Sequence, residues 1–184
     1  MMSLMPVALA VWLVMQTTSA IFTADTEPPS GLLELGDEHV ELRDAPTPAA
    51  EVTTRITRDA ADEIRLLRIR VVTREAGVLR SLADGAAVRG ADYGARAHVP
   101  VQPPGTVVPA AEVTVEVGAA ITYLQDSPGG CYVSIDGRVV DAMPCPSIDP
   151  LFQVERQPRV EWWGFLRLSD GRSGWVLVAR HGPR

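Results

Sequence analysis

The chain has 184 residues, 46% of them hydrophobic, with a net charge of −6 and a pI of about 5.1. This composition supports a folded core and disfavours wholesale disorder. It also disfavours partners with phosphate backbones or anionic lipid surfaces, which need a basic face. The length allows one large domain or two small ones. Glycine and proline, 15 of each, recur along the whole chain and read as short strands joined by many turns.

Met5 to Met15 (MPVALAVWLVM) is an uncharged apolar run with the length of a signal-peptide core. It is shorter than the roughly 20 residues a bilayer span needs. Thr18-Ser19-Ala20 supplies a small residue for cleavage, so the expected mature chain starts at Ile21 and is periplasmic or secreted. The first basic residue is Arg43, so the segment before the run carries only its α-amino charge, and an uncleaved anchor is the alternative. No cysteine follows the run to accept a lipid. Residues 21–35 read as a polar lead-in.

The folded parts are expected at 36–101 and 110–181, separated by a Pro-rich linker over 102–109. Proline lacks a backbone donor, which argues against the stretch from Pro100 to Pro109 lying inside a sheet. In the first part, Arg68 to Thr73 alternates as a strand, breaks at Arg74 to Gly77 and resumes at Val78. The charged stretch Arg58 to Arg65 reads as a loop or strand entry, with a helical turn as the alternative.

The second part carries clearer signals. Asp136-Gly137 sits between Tyr132–Ile135 and Arg138–Asp141 and predicts a two-residue type I′ hairpin. Its register pairs Ile135 with Arg138, Val133 with Val140 and Cys131 with Ala142. One face then carries Cys131, Val133, Ile135, Val140 and Ala142, the expected core side. Cys145 falls just past the partner of Cys131, so a disulfide is expected to close the hairpin base. A further hairpin runs from Val160–Leu168 to Gly174–Val178. Period-two alternation places Val160, Trp162, Leu166 and Leu168 on one face. Glu161, Trp163, Phe165 and Arg167 fall on the other, which is expected to be half exposed.

Gly77 to Gly85 (GVLRSLADG) and Gly164 to Gly171 (GFLRLSDG) read as an internal repeat. The stretch Trp162 to Val176, with its opening Trp, basic-hydrophobic pair and turn into Gly174-Trp175-Val176, resembles the C-terminal half of bacterial SH3-like domains. His98 stands where the first copy would have the second Trp. The resemblance implies an all-β fold, here two small SH3-like barrels in tandem after a signal peptide. It also implies a non-catalytic binding module of the cell envelope, taking a peptide, a protein partner or peptidoglycan.

No GxSxG elbow, HExxH or P-loop occurs. Asp136, Asp141, Asp149 and Asp170 are the carboxylates considered for acid–base chemistry, and three of them fall at turns where aspartate is ordinary. Cys131 and Cys145 lack CxxC spacing, and His39, His98 and His181 are scattered, so neither a metal nor a cofactor is expected. The acidic run Glu34 to Glu38 lacks the regular ligand spacing of a calcium loop and reads as solvated surface. The ligand-binding candidates are Trp163, Phe165, Trp175, Tyr123 and Tyr132, read as lining a groove, against a reading in which Trp162 and Trp175 only fill the core. A structural or assembly protein with this face buried by a partner, and a hydrolase with paired carboxylates, are the alternatives.

Overall fold

A computed structural model describes residues 20–26, 39–57, 64–91, 101–102, 112–127 and 129–181. The signal segment through residue 19, the acidic run 34–38, His98 and linker residues 103–109 lie outside them. The described chain is all β apart from one 3-10 turn at Pro146–Ile148. Its strands are β1 (Phe22–Thr26), β2 (His39–Arg43), β3 (Val52–Thr57), β4 (Arg65–Glu75), β5 (Gly77–Ser81), β6 (Ala86–Arg89), β7 (Val101–Gln102), β8 (Glu112–Val115), β9 (Ala120–Ser127), β10 (Gly130–Ile135), β11 (Arg138–Ala142), β12 (Phe152–Arg156), β13 (Arg159–Arg167) and β14 (Ser173–His181).

A seven-stranded sheet has the order β3-β2-β14-β13-β4-β1-β7, a five-stranded sheet the order β11-β10-β9-β5-β12, and β6 pairs β8 in a separate ribbon. Strands from 36–101 and from 110–181 are mixed in all three, and among the described residues no sheet closes. The chain is therefore all β, but its pairing does not follow the division into two barrels in tandem.

The reason lies in β4. Val71, Val72 and Thr73 are all buried, so both faces of this strand need cover and both edges need partners. The edges go to β1 and β13, with Val71 opposite both Ala24 and Trp162. At Ala76-Gly77 the chain then passes into the five-stranded sheet, where β5 lies between β9 and β12. Gly77 permits this corner: a Cβ there would lie 2.4 Å from Arg156 O and 2.7 Å from Pro158 N.

Two further expectations change. The lead-in supplies β1, whose Phe22 and Ala24 are buried against Leu124, Tyr132 and Val139 of the second sheet. Val101-Gln102, beside the prolines, pairs with β1 as the sheet's short edge, where a missing donor is tolerated. The repeated segments serve different sheets: β13 turns back onto β14, whereas β5 leads into β6, which pairs with β8.

The β10–β11 hairpin has the register read from the sequence, with Cys131 opposite Ala142, Val133 opposite Val140 and Ile135 opposite Arg138. Asp136 and Gly137 take φ of 49° and 75°, as a type I′ turn requires. Cys131, Val133, Val140 and Ala142 join Leu79, Ile121 and Phe152 in a core shared with the β6–β8 ribbon. Tyr132 and Val139 on the other face are buried too, because that face packs on the seven-stranded sheet.

Candidate functional site

The five aromatic candidates do not form one groove. Trp163 and Trp175 are 1% and 4% exposed and pack with Val72, flanked by half-buried Phe165. Tyr123 sits in the core of the five-stranded sheet. Tyr132 packs between the sheets, its ring centroid 5.1 Å from that of Phe22.

The tryptophan cluster is covered by the chain itself. Arg68 places its guanidinium 4.9 Å from the Phe165 centroid and 4.8 Å from that of Trp175, and Arg70 lies 5.2 Å from Trp175. These are cation–π distances. Asp25 holds Arg70 through bonds of 2.5 and 2.9 Å and raises its pKa above the usual guanidinium value. The Trp163 indole donates to Glu161 Oε2 at 3.1 Å, and the same oxygen accepts from Arg74 at 2.8 and 3.0 Å. Arg74 also donates to Pro46 O at 3.3 Å, and Arg43 donates to Pro48 O at 2.9 Å and Ala50 O at 2.7 Å, tying the β2–β3 loop down.

The catalytic alternative finds no pair of facing carboxylates in these residues. Asp136 is in the hairpin turn, Asp149 accepts from Leu151 N at 2.8 Å, and Asp170 is held below its usual pKa by the backbone and side chain of Arg172. Asp141 is 2% exposed and accepts from the Ser127 hydroxyl at 3.0 Å. Cys131 and Cys145 form a disulfide with Cα atoms 5.0 Å apart. Among the described residues no group of three potential metal ligands gathers. His39 is exposed on β2, and His181 ends β14.

Cavities open at two places among the described residues. One, of about 340 Å³, lies where β2 and β14 splay apart, since they pair only at Trp175 and Arg43. His39, Glu41, Arg43, Trp163 and Arg180 contribute to its lining. The other, of about 230 Å³, opens between the two large sheets. Ala24, Asp25, Thr26, Val71 and Trp162 line it from the seven-stranded sheet. Gln125, Asp126, Ser127 and Tyr132 line it from the five-stranded one.

The inter-sheet cavity is built by register. Tyr132 lies opposite both Gln125 and Asp141, so a row of polar and aromatic side chains crosses β9, β10 and β11 toward the other sheet. Gln125 is 2% exposed. The Thr73 hydroxyl lies within reach of Leu124 O (2.9 Å) and of the Gln125 amide oxygen (3.1 Å). In the core of the five-stranded sheet, the buried Tyr123 phenol donates to Asp126, and burial followed by that carboxylate pushes its pKa well above the usual value.

Of the candidates, only Tyr132 lines this cavity. Trp162 was read from the sequence as a core filler, and Gln125, Asp126 and Ser127 were not singled out. One signal was available: Gln125 follows Ile121, Tyr123 and Leu124 in a strand, and a polar residue in an apolar run is worth flagging. That Trp162 and Gln125 face each other depends on how the sheets pack. No family model, curated protein or solved structure matches the chain.

Proposed function

We propose that this chain is an exported, non-catalytic binding protein of the cell envelope, and that its ligand enters the inter-sheet cavity between Trp162 and Tyr132. The observation that carries the reading is this cavity of about 230 Å³, walled by aromatic rings and supplied with a few polar groups. Small-molecule and side-chain sites have that composition. The disulfide suits an oxidising compartment, as does the apolar run ending before Ala20. Envelope peptides, protein segments and peptidoglycan fragments are the partner classes.

The SH3-like resemblance enters the proposal in altered form. Strands β3, β2, β14, β13 and β4 are consecutive neighbours, and each contributes to the cluster of Val40, Leu42, Ile56, Leu66, Leu166 and Val176. Five strands around one core are what a single SH3-like unit needs, here assembled from both halves of the chain. The second reading, a structural protein of an envelope assembly, draws on the burial of Trp163 and Trp175, which leaves those rings to packing.

The test is a thermal-shift titration of the purified chain with soluble peptidoglycan fragments and envelope-derived peptides. A saturable rise in Tm that Trp162→Ala abolishes supports the binding reading. No shift with any fragment, or a shift that Trp162→Ala leaves intact, overturns it in favour of the structural one.

A further inference from the structure

At the end of the five-stranded sheet where β5 leads into β6, four aliphatic side chains stand in water: Leu82 (50% exposed), Val117 (55%), Ile148 (77%) and Leu151 (43%). They come from three segments that main-chain bonds hold side by side. Leu82 N donates to Leu151 O at 2.8 Å, one step past the Ser81–Phe152 pair, so the two leucines stand opposite each other. Ser81 and Phe152 are buried, and by alternation Leu82 and Leu151 point to the outer face. The β8–β9 turn is tied to the same strand: Gly118 N donates to Ser81 O at 2.8 Å, and Ser81 N to Ala119 O at 3.0 Å. Val117 N donates to the Asp84 carboxylate at 3.0 Å. Ile148 ends the 3-10 turn, which the Cys131–Cys145 disulfide anchors at its start. One exposed aliphatic residue is ordinary, but a group from converging segments marks a contact surface. Because main-chain bonds already fix these segments, a partner would lose little in ordering them.

Charge selects the partner. Residues 82–85, 116–119 and 146–151 include Asp84, Glu116 and Asp149 and no basic residue. Arg80, on the neighbouring stretch of β5, is taken up by the Glu155 carboxylate and by Gly118 O at 2.6 Å. An aliphatic surface edged by carboxylates is complementary to an aliphatic segment edged by lysine or arginine. Two copies of this chain joined here would set like charges against each other, and an anionic lipid surface would be repelled in the same way. We propose that this end of the five-stranded sheet docks a basic amphipathic segment of another protein. The contact is independent of the inter-sheet cavity, which uses the other end of β9, at Gln125–Ser127.

The experiment titrates the purified, methyl-labelled chain with a synthetic amphipathic peptide of leucine and lysine, and with its counterpart carrying glutamate for lysine. The expected result is saturable binding of the lysine peptide that weakens as salt rises, with resonance shifts concentrated in the methyl groups of Leu82, Val117, Ile148 and Leu151. The glutamate peptide should not bind. Ile148→Ser should weaken the binding roughly tenfold and Glu116→Gln about threefold. Both side chains are exposed, so both variants should melt as the parent does. No binding of the lysine peptide, equal binding of the glutamate peptide, or binding that Ile148→Ser leaves intact overturns the proposal. Phosphatidylglycerol vesicles that shift the same methyl groups, or self-association that Ile148→Ser abolishes, would assign the surface to lipid or to a second copy and overturn it as well.

Discussion

The β10–β11 and β13–β14 hairpins are both legible as strand–turn–strand from their residues, yet the second departs from its alternation at Trp162 and Trp163. In β10–β11 the Asp136-Gly137 turn dictates register, and Cys131, Val133, Val140 and Ala142 are buried as a set. In β13–β14 the alternation marks Trp162 as core and Trp163 as half exposed. The structure leaves Trp162 half-buried at the inter-sheet cavity and buries Trp163 to 1%. Register is a local property of the turn, whereas burial is a property of whatever packs on each face. Here the β2–β3 loop and the Arg74–Glu161 pair close over Trp163.

The largest test of that contrast is Trp163→Ala. It should cost about 4 kcal/mol, read by urea denaturation, because it empties a filled site. Trp162→Ala should cost about half as much, since one side of that ring already faces a cavity. Equal costs, or the reverse order, would restore the alternation's original assignment.

Next in size is the staple of the first hairpin. Replacing Cys131 and Cys145 together by serine should cost about 3 kcal/mol with the fold retained, as the closed loop is short. Free-thiol titration of denatured, unreduced protein should find no reactive thiol, and two per chain would remove the disulfide.

Smaller again is Gly137→Ala, at φ of 75° with open space around the position, which should cost about 1 kcal/mol by thermal melting. A neutral outcome would mean that tertiary contacts, not the turn, hold the hairpin register.

The smallest effect concerns alkaline pH. The folded state raises the Tyr123 pKa above its ordinary value of 10.0, chiefly by burial and then through Asp126. The unfolded chain therefore loses that proton first, and the stability this phenol contributes is complete below pH 10 and falls as pH rises beyond it. Ultraviolet titration of native protein should show Tyr123 resisting ionisation there, while Tyr123→Phe should flatten the decline in Tm. Normal titration of Tyr123 would show that its site is wet.

By itself the sequence determined the local features: a β-rich chain, the Asp136-Gly137 turn with its register, the Cys131–Cys145 closure, and strands at Arg68–Thr73 and Val160–Leu168. Each rests on neighbours in the chain, through turn dihedrals, side-chain alternation or a short loop. Tertiary structure alone decided that β4 joins β1 to β13, that Phe22 of the supposed lead-in is core, and that Trp162 faces Gln125 across a cavity. A strand's edges offer the same backbone donors and acceptors whatever its side chains are. The choice among distant partners therefore falls to which apolar faces can be covered at once, and no short window of residues contains that information.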